Sequence, residues 1–212
     1  MKLIILDFDG TIGDTKSLIV STFQQTIKEL CLEPRTDEEC AATIGLPLKK
    51  AFMTLYTIDD ATGELCTDTY RRIFYRNNTL GAVRPFPHTI ETLRKLHEQG
   101  YTLTVASSRN RHTLNEYIDE MGIKEIISLV IGADDTEKAK PHPEPVLKIL
   151  QHFSCNADDA IVVGDTHFDI LMGVRAGCHT CGVTYGNGKR EELIAAGAEY
   201  VIEDFAKLAD IL

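Results

Sequence analysis

The chain opens on a solid apolar run, Leu3-Ile4-Ile5-Leu6, that stops at Asp7. Successive apolar residues bounded by acids and a glycine turn read as a strand buried on both faces. A helical period follows: Leu18, Ile19, Phe23, Ile27 and Leu30 mark one face of a helix over 17–30. Asp14-Thr15 is its expected cap and Glu33-Pro34-Arg35 its break. From 36 to about 80 no strand pattern occurs, and helices are expected over 37–44, 48–56 and 61–80, with Gly45-Leu46-Pro47 between the first two. After Arg84-Pro85-Phe86-Pro87 the pattern alternates. Helices are expected over 89–99, 113–121, 144–153, 168–176, 191–196 and 205–212. Strands are expected over 101–106, 126–131, 160–163, 180–183 and 199–202. Such alternation predicts an α/β fold, a parallel sheet with helices on both faces, interrupted after its first strand by a helical block.

The polar residues that matter gather where strands end. The first strand delivers Asp7 and Asp9, which alternation places on one side while Phe8 turns into the packing layer. The second delivers Ser107, followed by Ser108, Arg109 and Asn110. A loop carries Lys140 between prolines, in Lys138-Ala139-Lys140-Pro141-His142-Pro143, and a later strand delivers Asp165 with Asp169 one helical turn on. Each is individually ordinary: a hydroxyl after a strand caps helices, Lys-Pro makes surface turns, and Gly164-Asp165-Thr166 is a capping turn. At the carboxyl ends of successive strands, where open α/β sheets bind ligands, they form a set. That set suits phosphoryl transfer. A phosphate approaching carboxylates is repelled by each with about 4 kcal/mol at 4 Å and an effective dielectric near 20. Mg²⁺ on Asp7 and Asp165 would remove the repulsion. Asp7 could then attack phosphorus, Asp9 serve as acid and base, and Ser107 and Lys140 hold the phosphoryl oxygens.

Composition narrows the partners. Lys and Arg number 22 against 32 Asp and Glu, a net charge of −10. An acidic chain argues against nonspecific nucleic-acid binding and against an anionic membrane surface, so phosphate binding has to be local. Of six cysteines only Cys178 and Cys181 are spaced Cys-x-x-Cys. A structural zinc site usually needs a second pair, and buried thiols are the expectation. The opening apolar run is too short for a signal peptide and no run reaches transmembrane length, which leads us to expect a cytoplasmic protein.

With these residues placed, the chain resembles the haloacid dehalogenase superfamily of phosphatases. The likeness rests on Asp7-Phe8-Asp9-Gly10-Thr11, Ser107, Lys140-Pro141-His142-Pro143 and Gly164-Asp165-Thr166-His167-Phe168-Asp169, in the family's order. It is nearest to the phosphoglycolate phosphatase-like branch through Ile44-Gly45-Leu46-Pro47-Leu48, Ala176-Gly177-Cys178 and Gly182-Val183-Thr184-Tyr185-Gly186. The resemblance implies a Rossmann-like core formed by residues 1–13 and 82–212 and an α-helical cap domain over 14–81. It implies Asp7 as nucleophile, Asp9 as acid–base, and Mg²⁺ on Asp7, the Asp9 carbonyl and Asp165, with Asp169 behind them. Ser107 and Lys140 would bind the phosphoryl group, with Thr11, Ser108, Arg109 and the cap residue Lys49 as further substrate contacts. The expected substrate is a small phosphorylated metabolite, and the expected assembly a monomer or homodimer. Arg109 stands where the family often has lysine, and His88 where relatives often have a small residue.

Three rivals share parts of the pattern. A β-phosphoglucomutase-like mutase has the same core residues. A true haloacid dehalogenase uses one aspartate and no metal, so Asp9 and Asp165 count against it. A non-catalytic receiver-like module combines aspartate, hydroxyl and lysine but lacks an acid at the position of Asp9 and is much shorter. Gly186-Asn187-Gly188-Lys189 is superficially like a P-loop, yet Val183 and Arg190 occupy positions where that motif needs Gly and Ser or Thr.

Overall fold

Residues 2–212 are described by the computed structural model. In chain order it runs β1 (Leu3–Leu6), β2 (Gly13–Asp14), α1 (Lys16–Glu29), α2 (Asp37–Ala41), α3 (Leu48–Leu55), α4 (Asp60–Asn77) and β3 (Arg84–Pro85). The alternating part follows as α5 (Thr89–Glu98), β4 (Thr102–Ala106), α6 (Arg111–Glu120), β5 (Ile127–Ile131) and α7 (Glu144–Phe153). It ends with β6 (Ala160–Gly164), α8 (His167–Ala176), β7 (His179–Val183), α9 (Arg190–Ala195), β8 (Tyr200–Ile202) and α10 (Leu208–Ile211).

Six strands form one parallel sheet in the order β5-β4-β1-β6-β7-β8. The chain builds outward from β1 on one side, then crosses back and builds outward on the other. That reversal opens a crevice beyond the carboxyl ends of β1 and β6. Register fixes what reaches it. Leu6 lies opposite both Val105 and Val163, so Asp7, Ser107 and Asp165 leave the sheet within two residues of one level.

The solid apolar run of β1 is explained by its two covered faces. Ile4 and Leu6 join a core cluster with Leu93, Leu114 and Phe205, while Leu3 and Ile5 join a second cluster with Val146, Ile149 and Met172. Phe8 is fully buried and stacks on Tyr117 at 5.3 Å, so the residue between the two acids anchors the turn. The cysteine pair divides between the same faces: Cys181 packs in the first cluster and Cys178 in the second. Burial pushes both thiols up to about 12, and all six cysteines are free.

Helices α1 to α4 form the inserted cap. Their shared core is aromatic, with Phe23 4.8 Å from Phe52 and 5.0 Å from Tyr70. The cap leaves and rejoins the sheet domain through β2 and β3, which pair antiparallel as Gly13 with Pro85 and Asp14 with Arg84. The Ser108 hydroxyl donates to the Gly45 carbonyl at 2.7 Å and ties core to cap above the crevice.

Local differences from the sequence reading have identifiable causes. Thr15 precedes α1, but its buried hydroxyl makes no cap bond, because its backbone is already near-helical (φ −101°, ψ −6°) where a capping residue is extended. Side-chain caps stand at other helices: Thr36 and Glu39 exchange a capping box at α2, Asp59 accepts from Thr62 N at α4 and Asn110 from Thr113 N at α6. The helix expected to run to 80 stops at Asn77; the Asn78 side chain accepts from the Tyr117 hydroxyl at 2.6 Å and Gly81 turns the chain at φ +75°. The last expected helix is split: the Asp204 carboxylate accepts from Ala206 N and starts a 3₁₀ turn over Phe205–Lys207 before α10. No helix among the described residues is long and apolar enough to cross a membrane.

Candidate active site

The turn after β1 is closed by backbone bonds from Ile12 N and Gly13 N to the Phe8 carbonyl, at 3.0 and 2.9 Å. It presents Asp7 and Asp9 to a cavity of about 400 Å³ between sheet and cap, whose wall also includes Ser107, Ser108, Arg109, Asn110, Lys49 and Phe74. Behind Asp7, and out of the cavity, lies a buried charge cluster. Lys140 Nζ donates to Asp7 Oδ1 and Asp169 Oδ1, both at 2.6 Å. Asp169 is satisfied on its other oxygen by Thr166 N at 3.0 Å and the Thr166 hydroxyl at 2.6 Å. Asp169 therefore holds Lys140 and pins the start of α8. Asp165 Oδ2 accepts from Asn187 N at 2.7 Å and Asn187 Nδ2 at 2.9 Å.

Two polar atoms in this cluster are buried without a protein partner, Asp165 Oδ1 and Asn187 Oδ1. A buried carboxylate oxygen left unpaired is costly. Carboxylate oxygens of Asp7, Asp165 and Asp169 come within 4.8 Å of one another. With all three carboxylates ionised, one ammonium leaves two negative charges uncompensated in the protein interior. An orphan oxygen, a neighbouring amide oxygen and a twofold charge deficit are what a hard divalent cation with oxygen ligands satisfies. The donor set fits such an ion.

Electrostatics agree with the geometry. Burial pushes Asp7 up to about 7, against the pull of Lys140, with the charges of Asp169 and Asp9 adding to the rise. Burial, then Asp169 and Asp7, hold Asp165 well above the ordinary range. Lys140 moves up although its burial opposes the charge, because Asp169 and Asp7 outweigh that cost.

The loops close on Asp165 so tightly that side chains are excluded. A Cβ on Gly10 would lie 2.0 Å from Asp165 Oδ2, and Gly10 also has φ +85°. One on Gly186 would lie 2.4 Å from the same oxygen.

The expected site residues fall into three groups. Asp7, Asp9, Ser107, Ser108, Arg109 and Lys49 all line the cavity. Asp165, Asp169 and Lys140 form the buried cluster behind it. Thr11 is apart from both: its side chain is fully buried, and its carbonyl accepts from the Tyr185 hydroxyl at 2.9 Å, since the turn after Phe8 folds it inward. Lys49 reaches the wall with its ammonium held by Asp60 at 2.5 Å and Glu64 at 2.9 Å. Arg109 is held by Asp9, Nε at 3.2 and 3.1 Å from its two oxygens and Nη2 at 2.7 Å from Oδ1. Asn187 belongs to no motif that the sequence displays, because its Gly-Asn-Gly-Lys context resembles only an incomplete nucleotide loop. The flanking glycines were the available signal for close backbone approach. His88, at φ 62°, pairs with Asp204 at 2.7 Å, away from the cavity.

Comparison with known proteins adds the context. A family model for haloacid dehalogenase-like hydrolases matches residues 4–183. A pyrophosphatase, PpaX, from Anoxybacillus flavithermus is 32% identical over 212 residues, covering 100% of this chain and 97% of that protein. A solved structure named a predicted phosphatase, from Clostridium acetobutylicum, superposes with a TM-score of 0.90 at 23% identity, covering 99% of this chain and 97% of the other. Another, named a predicted phosphoglycolate phosphatase, from Haemophilus somnus, gives 0.88 at 23% identity over 100% and 97%. At these identities the two structures speak for the fold alone.

Proposed function

The chain belongs to the haloacid dehalogenase-like hydrolases, and from there we propose that it is a Mg²⁺-dependent phosphatase that cleaves a small phosphorylated metabolite through an aspartyl-phosphate on Asp7. The observation that carries the reading is the placement of Asp7 between the cavity and the buried cluster. Its Oδ1 is fixed by Lys140 at 2.6 Å, while no protein hydrogen bond among the described residues engages its Oδ2. One oxygen is anchored and the other is free to attack.

Asp7 and Asp165, with the Asp9 carbonyl, would hold Mg²⁺; when bound, it would offset the two excess negative charges and let a phosphate dianion approach the carboxylates. The remaining steps use this chain's own groups. Asp7 Oδ2 forms a bond to phosphorus as the bond to the leaving oxygen breaks, and Asp9 gives that oxygen its proton. Asp9 then takes a proton from water as the water oxygen attacks phosphorus and releases Asp7. Ser107 contacts the transferring group from the end of β4, and the cap walls the cavity from bulk water. Phosphoglycolate and pyrophosphate are the substrates to test first, the latter because the relative from Anoxybacillus flavithermus bears that name.

The test is phosphate release from pyrophosphate, phosphoglycolate and sugar phosphates with Mg²⁺, with EDTA, and with Asp7→Asn. Release that requires Mg²⁺ and vanishes in the variant is expected. A folded protein that binds Mg²⁺ and releases phosphate from none of them would overturn the reading.

A further inference from the structure

Three cationic side chains line the cavity: Lys49, Arg71 and Arg109. Lys49 is committed to Asp60 and Glu64, and Arg71 leans toward Asp68 at 3.6 Å. Arg109 differs from both. It follows Ser107 by two residues, and its own N–H donates to the Ser107 hydroxyl at 3.2 Å, so its arm starts at the floor where a phosphoryl group would sit. Its guanidinium lies between two aromatic faces, 4.9 Å from the Phe74 ring of the cap and 5.4 Å from the Tyr117 ring of the core. Its side chain is only 10% exposed. Both Asp9 oxygens accept from Nε, and one also from Nη2; Nη1 has no partner among the described residues.

This arrangement conflicts with the work required of Asp9. An acid–base carboxylate has to meet the leaving oxygen, yet the guanidinium covers both of its oxygens. Guanidinium has donors only, and with both side chains only 10% and 14% exposed another anion is the partner best able to draw it off the carboxylate. With the transferring phosphoryl group seated between Ser107 and Asp7, an uncharged leaving group offers no second anion to replace it. A leaving group with its own carboxylate or phosphate does, through a fork-to-fork contact of the same kind.

We propose that Arg109 is a specificity residue that covers Asp9 while the cavity is empty and transfers to a second anionic group on the substrate's leaving side, uncovering Asp9 for proton transfer. The inference rests on the phosphatase reading and deepens it: the preferred substrate class is phosphate joined to a leaving group that is itself anionic. The aromatic sleeve keeps the guanidinium plane aligned while its partner changes, and Phe74 makes the exchange depend on the cap being in place.

A matched pair of esters isolates the effect. 2-Phosphoglycolate and 2-hydroxyethyl phosphate are similar in size and differ in a carboxylate against a hydroxymethyl group. Steady-state kcat and KM would be measured for both with wild type, Arg109→Gln and Arg109→Lys. We expect wild type to favour phosphoglycolate. In Arg109→Gln the ratio of kcat/KM values should fall by about 30-fold or more, with kcat on the uncharged ester rising because Asp9 is uncovered. Arg109→Lys keeps a charge but not the fork, guards against a glutamine variant that does not fold, and should lower the ratio by about 10-fold. An unchanged ratio in a folded variant, with both esters slowed equally, would overturn the proposal. Wild type that hydrolyses neither ester, nor pyrophosphate, nor any of the sugar phosphates, with Mg²⁺ present would instead overturn the phosphatase reading beneath it.

Discussion

Replacing Lys140 by methionine keeps a buried aliphatic stem and deletes the charge between Asp7 and Asp169. At 2.6 Å and an effective dielectric near 20, each contact carries about 6 kcal/mol of Coulomb attraction. The wild type gives up several kcal/mol of ammonium hydration to make them. What the variant loses is the balance, and removing one partner of a buried ion pair costs about 3–5 kcal/mol because the other stays buried and uncompensated. For a chain of this length each kcal/mol lowers Tm by about 2–4 °C, so the metal-free variant should melt roughly 6–20 °C below wild type at pH 8. The pH dependence follows from the carboxylates. Asp7 is raised from 3.8 to about 7 in the folded protein, so the folded state binds that proton more tightly than the unfolded chain. Its contribution to stability is full at low pH and is lost as pH rises through that window. Lys140, shifted upward, remains charged throughout. Without Lys140 the carboxylates rise further, and protonation relieves their repulsion, so the deficit should be clearly smaller at pH 5.5. Thermal denaturation in EDTA at the two pH values measures both numbers. A deficit under about 2 °C at pH 8, or one as large at pH 5.5, would refute the buried-charge account.

Mg²⁺ should raise the Tm of wild type more at pH 8 than at pH 5.5, because the carboxylates it needs are ionised there, and Asp165→Asn should abolish the shift; titrations followed by differential scanning fluorimetry check both. Gly10→Ala places a Cβ 2.0 Å from Asp165 Oδ2 in a left-handed backbone. It should cost roughly 1–3 kcal/mol in a urea melt and weaken Mg²⁺ binding measured by calorimetry. Asp9→Asn should lower kcat by about 10²- to 10⁴-fold in steady-state phosphate release, with the fold retained by circular dichroism.

The sheet was legible because its strands are short apolar runs ended by acids, hydroxyls or glycine, and its helices carry a plain apolar stripe. Asp7, Asp9, Ser107 and Asp165 were legible for the same reason: being last on a strand in a parallel sheet sends side chains to one edge. What could not be read was pairing across long separations. Arg109 and Asp9 are 100 residues apart, and Asn187 and Asp165 are 22 apart on different loops. No local pattern encodes which donor will face which acceptor. The two-residue strands β2 and β3 also escaped notice, since two residues hold no period. Lys49 shows the converse: its position on the cavity wall was readable, but its engagement by Asp60 and Glu64 depends on how α3 crosses α4.

Those two short strands bear on how such a protein changes over evolutionary time. The 69 residues between Asp14 and Arg84 begin and end on partners that are hydrogen-bonded to each other, about 5 Å apart at the Cα atoms. An insert of another size or shape has only that small gap to match. The entropy of closing a longer loop grows slowly, by about 0.6 kcal/mol per doubling. The sheet, with Asp7 at its edge, is therefore insulated from the segment that walls the cavity, and a lineage can exchange one while inheriting the other intact.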